Sequence, residues 1–157
     1  MNSKLVKGGL SLFLYLTLVF LSGGSIHILF QKIPELMLTF DFSHIVSLIM
    51  AIIYMGNYIL VNICLIGIIE STDYTPFVFA NVKRFKKMGY CLFVNAIIEC
   101  ILGYSLNKNA SIQFIGTENG AITGPMIICI IAALMCFVMG EVFDKAIKLK
   151  EDNDLTV

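Results

Sequence analysis

The chain has 157 residues, enough for one domain or a short bundle. Apolar residues make up 58% and charged residues only 14%, with a mean hydropathy of +0.87; a soluble domain carries about 25% charge, so these figures exclude an ordinary water-soluble domain and point to lipid as the solvent. The formal net charge is zero, so the total says nothing of acidic partners, and direct binding to nucleic acid is not expected.

Met1–Lys7 carries Lys4 and Lys7, and the next 23 residues, Gly8–Phe30, hold no charge. Residues 8–30 are predicted as the first span. A signal peptide is the rival reading, because Ser22-Gly23-Gly24-Ser25 could serve as a small-residue cleavage site. The apolar run continues past those glycines to Phe30, beyond the roughly 7–15 residues of a signal core. Kept in the membrane, Ser22–Ser25 forms a small face that another helix can approach closely.

Gln31–Ser43 is predicted as a loop, because Pro34 forbids a continuing regular helix. It is apolar for a loop, with Ile33, Leu36, Met37, Leu38, Phe40 and Phe42. His44–Ile69 follows, 26 residues without Lys, Arg, Asp or Glu. That exceeds the roughly 20 apolar residues needed to cross a bilayer and gives the second span, 44–69.

Glu70–Lys87 connects this span to the next. Pro76 suits the first turn of a new helix. Val78, Val82 and Phe85 share one helical face, with Lys83, Arg84, Lys86 and Lys87 beside them. A basic amphipathic segment over 76–87 lies at the membrane surface and feeds the next span. Residues 88–106 form the third span, the least apolar, with Asn95 and Glu99. A polar loop reaches Gly120. Residues 121–143 form the fourth span, with Pro125 in its first turns, and 144–157 a charged cytoplasmic tail whose helical pattern carries past the lipid for a turn or two.

The result is an all-α integral membrane four-helix bundle in a single domain, 1–157. Nine of the eleven basic residues fall on the side that holds both termini and the middle loop, and two, Lys32 and Lys108, on the other. The positive-inside bias puts both termini in the cytoplasm, N-in and C-in, of a multi-pass protein in a bacterial plasma membrane.

Asn57 lies 13 residues into the second span, roughly 20 Å, and Asn95 lies 8 residues after Lys87, roughly 12 Å. In a core about 30 Å thick they come to similar depth, with Glu99 one turn further along the face of Asn95. Polar groups in hydrocarbon turn inward, so Asn57, Asn95 and Glu99 form a candidate intramembrane polar site. Its two readings are interhelical hydrogen bonding and a proton- or ligand-binding site on Glu99. Glu70, Lys83, Arg84, Lys87 and Glu141 reach the cytoplasmic mouth as a candidate charged cluster, or as ordinary solvated interface.

No catalytic constellation or phosphate loop occurs, and the protein reads as no enzyme, without cofactor or metal. His27 and His44 lie at the outer span ends as interfacial anchors. Cys64, Cys91, Cys100, Cys129 and Cys136 are too scattered for a zinc site and read as small apolar side chains.

Met126–Val157 ends in EVFDKAIKLKEDNDLTV, and Thr75–Tyr90 reads TPFVFANVKRFKKMGY. Both stretches resemble a family of small bacterial four-span membrane proteins catalogued as a domain of unknown function. The family-signature positions carried over are Asn81, Arg84, Glu141, Leu149, Glu151, Asp154, Leu155, Thr156 and Val157, with no role attached. Members are frequently encoded beside a small Cro-type helix-turn-helix regulator. The resemblance therefore implies a membrane partner for a soluble cytoplasmic regulator. A small transporter or channel subunit with its polar site at Asn57, Asn95 and Glu99 is the alternative. Besides the lipid bilayer, such a regulator and a second copy of the chain are the partners to consider.

Overall fold

A computed structural model describes residues 3–38, 41–72, 76–105, 113–117 and 120–154. Four helices and one β-hairpin follow in the order α1 (Ser3–Leu38), α2 (Phe42–Ser71), α3 (Phe79–Ser105), β1 (Gln113–Thr117), β2 (Gly120–Thr123) and α4 (Gly124–Asp154). The chain divides into two compact units, Met1–Ile66 and Gly67–Val157.

In the first unit, α1 and α2 run antiparallel. Asn62 Nδ2 donates to Thr17 Oγ1 at 2.6 Å, and Lys32 Nζ donates to Ser47 Oγ at 2.7 Å. The two pairs share one antiparallel register, 45 and 15 residues apart in sequence. α1 presents Leu12, Phe13, Val19, Phe20 and Phe30 outward. A helix apolar all round belongs in a membrane or a deep core.

α1 corrects the expectation of a loop after Phe30. The helix continues through Pro34 to Leu38. Proline removes one backbone donor and crowds the preceding turn. Pro34 stands near the helix end, where one lost bond leaves the rest of the helix intact. Of the remaining loop, Thr39 and Phe40 lie outside the described residues, and α2 begins at Phe42.

In the second unit, α3 and α4 pack against each other as an antiparallel pair, with β2 against α3. Buried Val82, Met88, Leu92 and Ala96 on α3 recur at helical spacing, and α4 buries Cys129, Ala133 and Ile147. Gly89 meets Phe137 so closely that a Cβ on Gly89 would lie 2.7 Å from the ring. Tyr90 stacks edge-on against Phe137 at 5.1 Å between centroids, and Phe77 and Phe85 both meet Phe143, at 5.7 and 5.2 Å.

Four boundaries differ from the sequence reading. Pro76 precedes α3 instead of opening it, since the helix starts at Phe79. The basic segment and the apolar segment after it form one helix, α3. Ala121–Thr123 is strand β2, paired antiparallel with β1 through Thr117↔Gly120, Gly116↔Ala121, Ile115↔Ile122 and Gln113↔Thr123, with a bulge between Gln113 and Ile115. α4 therefore begins only at Gly124, with Pro125 in its first turn, and it extends to Asp154, so most of the expected tail is helix.

α1, α2 and α4 are long and apolar enough to cross a membrane, over Lys4–Pro34, Phe42–Ser71 and Gly124–Asn153. Among the described residues α3 is not counted with them. Lys83, Arg84, Lys86 and Lys87 occupy its start, and Asn95 and Glu99 dilute the remainder.

Candidate functional site

A polar cluster with several side-chain hydrogen bonds joins the last turns of α2 to the first turns of α3. It belongs wholly to the second unit. α2 ends after Ser71, where the last carbonyls of a helix lack intrahelical donors. Ser71 and Thr72 hydroxyls turn back to Ile68 and Ile69 carbonyls at 2.6 and 2.7 Å. Val78 opens α3, its carbonyl accepting from Asn81 N at 2.9 Å.

Asn81 is completely buried and organises the junction. Its Nδ2 donates to Ser71 Oγ at 2.6 Å and to the Pro76 carbonyl at 2.8 Å. Its Oδ1 accepts from Arg84 Nη1 at 2.8 Å. The same Nη1 donates to the Gly67 carbonyl at 2.9 Å. A cation here also complements the partial negative charge at the C-terminus of α2. Gly67 has to be glycine for this contact, because a Cβ would lie 2.9 Å from Arg84 Cζ and Nε.

The charged cluster expected at this level takes a different form. Lys83, Lys87, Glu70 and Glu141 are exposed, and Arg84 is half-buried. Glu141 pairs with Lys145 at 3.8 Å along its own helix, and Asp144 with Lys148 at 2.7 Å. Arg84 bonds a backbone carbonyl and an amide instead of a carboxylate. Exposed pairs one helical turn apart contribute little, about 0.3–0.5 kcal/mol; within the junction the buried Asn81 makes three side-chain hydrogen bonds.

The candidate intramembrane residues belong to different units. Asn57 is half-buried in the first unit, while fully buried Asn95 and half-buried Glu99 lie in the second. None of the three is without a partner. Glu99 Oε2 accepts from Thr123 Oγ1 at 3.4 Å, and Thr123 Oγ1 accepts from Met126 N at 3.3 Å. Thr123 is thus the N-cap of α4, and Glu99 sits level with that helix's first turn. A carboxylate there is favoured by the helix dipole.

Sequence reasoning passed over Asn62. It is buried, bonded to Thr17, and its Oδ1 has no partner. Its signal was available as a second asparagine within the same uncharged run as Asn57. The first unit also has an open apolar cleft of about 200 Å³ between Ser25, Ile28 and Leu29 of α1 and Ala51, Met55 and Ile59 of α2. No group of three or more His, Cys, Asp or Glu suited to a metal occurs among the described residues. Of the tail positions, Leu149, Glu151 and Asp152 are exposed on α4; Leu155, Thr156 and Val157 lie outside the described residues.

The sequence profile described as a protein of unknown function, DUF2975, matches residues 28–157. No curated protein and no solved structure matches the chain.

Proposed function

From the premise that the chain belongs to the DUF2975 family of proteins of unknown function, we propose a non-enzymatic integral membrane protein that holds or regulates a soluble cytoplasmic protein, such as a helix-turn-helix transcription factor. It crosses the plasma membrane of a bacterium four times, Met88–Ser105 of α3 supplying the fourth crossing, with both termini inside. The nine-to-two distribution of basic residues supports this orientation.

One observation carries the reading. α4 has 31 residues, roughly 46 Å of helix, against a hydrocarbon core of about 30 Å. Its last turns therefore stand outside the lipid. They remain ordered there because Phe143 packs on Phe77 and Phe85 and Ile147 is buried. This extension displays Lys145, Lys148, Lys150, Glu151 and Asp152 to water. An ordered, mixed-charge helix end at the membrane surface is a recognition surface for a soluble protein.

The transporter alternative would need a polar cavity at Asn57, Asn95 and Glu99. The cleft of the first unit is walled by apolar side chains and one serine, and it gives that alternative no support.

The test is co-purification in detergent from the native cell, with the full chain and with a chain lacking 148–157, which removes Lys148, Lys150, Glu151 and Asp152 and keeps the buried Ile147. The full chain should retain a cytoplasmic regulator that the shortened chain loses. If the shortened chain inserts normally and retains every cytoplasmic partner of the full chain, the proposal fails.

A further inference from the structure

Both hydrogen bonds that hold the half-buried Arg84 are made by one end of its guanidinium, Nη1, while Cζ, Nε and Nη2 lie close over Gly67. Nη1 uses both of its hydrogens, on the Gly67 carbonyl and on Asn81 Oδ1. An arginine carries five N–H groups. The remaining three, on Nε and Nη2, have no acceptor among the described residues. These are the groups that form the planar fork for a carboxylate or phosphate. The fork is fixed in direction because the guanidinium lies directly over Gly67.

Its surroundings are cationic and amphipathic. Lys83, Lys86 and Lys87 are exposed beside it, and so are Phe77 and Phe79. Lys87 lies one helical turn from both Lys83 and Arg84. Gly67 lies at the end of the uncharged run of α2, a helix long enough to span the membrane, and Glu70 begins the polar connection. Arg84 is therefore level with the boundary between hydrocarbon and water, where lipid phosphates lie. Lysines with exposed aromatic rings are the composition of a helix lying at that boundary, and basic pockets there bind anionic head groups.

We propose that the Nε–Nη2 fork of Arg84 binds the phosphodiester of an anionic phospholipid, with Lys83 and Lys87 adding attraction around it. The position at the membrane boundary, on a segment that also exposes Phe77 and Phe79, favours a lipid phosphate over the carboxylate of an acidic protein. The site depends neither on which side the termini face nor on a soluble partner.

Native mass spectrometry of the full-length protein in detergent tests this, with phosphatidylglycerol as the probe. Diacylglycerol supplies the same lipid body without phosphate or carboxylate, and inorganic phosphate and a glutamate-rich peptide serve as competitors. Wild type should retain one phosphatidylglycerol about tenfold more tightly than diacylglycerol, the scale of one charge-assisted hydrogen bond. Arg84→Lys keeps the charge but loses the fork, and should lower that affinity about tenfold. Gly67→Ala keeps every charge but displaces the guanidinium, and should do the same. Equal retention of phosphatidylglycerol and diacylglycerol by wild type overturns the proposal, even if both variants fail to fold. So does undiminished binding by both variants in folded form. Displacement by millimolar inorganic phosphate would make soluble phosphate the ligand, and displacement by the peptide would make it an acidic protein; either result refutes a lipid site.

Discussion

Asn81→Ala removes the side chain on which the α2–α3 junction depends. Three hydrogen bonds go with it, at 2.6, 2.8 and 2.8 Å, and one of them is to a guanidinium. Neutral bonds contribute about 1 kcal/mol each and those to charged groups about 1.5–3 kcal/mol, which gives roughly 4 kcal/mol. Interhelical bonds in membranes average only about 0.6 kcal/mol, which sets a floor of roughly 2 kcal/mol for three. The upper range is favoured because Asn81 is completely buried, although the Pro76 carbonyl keeps a bond from Val78 N at 3.1 Å. Reversible unfolding in mixed micelles, followed by far-UV circular dichroism, should therefore show a loss of 2–4 kcal/mol, on the same estimate. Asn81→Asp separates the two halves of the amide. It keeps the acceptor for Arg84 but sets oxygen against the Pro76 carbonyl, and Ser71 already donates its hydroxyl to Ile68. Its stability should fall between wild type and Asn81→Ala. A loss below about 1 kcal/mol for the alanine variant, less than two average membrane bonds, would refute the reasoning.

Gly89→Ala should destabilise by about 1–3 kcal/mol by overpacking against Phe137, whereas Gly24→Ala, with open space at its Cβ, should be neutral in the same unfolding assay. Thr123→Val should cost about 1 kcal/mol through loss of the α4 cap, while Glu99→Gln, which retains an acceptor for Thr123, should leave stability unchanged; a large loss for the glutamine variant would mean that the charge itself is needed. Thr17→Val should weaken the α1–α2 pairing by about 0.6–1.7 kcal/mol, measured by unfolding of the full chain. Reporter fusions at Val157 and within 107–120 should report opposite sides of the membrane, and finding both on one side would sink the proposed topology.

The long uncharged runs made α2 and the apolar part of α4 legible from residues alone, because hydrocarbon admits little else over such a length. Their neighbours were less readable for specific reasons. Pro34 signals a break in water-soluble helices, yet near the end of an apolar helix it removes only one bond. Ala121-Ile122-Thr123 is apolar and short, so periodicity does not distinguish a strand from the first turn of a helix; pairing with Gly116 and Thr117 decides it, and that pairing is nonlocal. At the junction, Asn81 stood out only through the family resemblance, and Arg84 through that resemblance and as one charge of the cytoplasmic mouth. Their bonds reach Gly67, Ser71 and Pro76 across a connection whose geometry the residues do not announce. Glu99 was read by depth alone, which missed that its partner would be the cap of α4.

Thr123 is at once the last residue of β2 and the cap of α4, so no linker separates the hairpin from the helix. α4 then runs unbroken to Asp154, with no proline after Pro125. One uninterrupted helix, roughly 46 Å long, therefore joins the hairpin to the charged end, seated on α3 through Phe137 and Phe143.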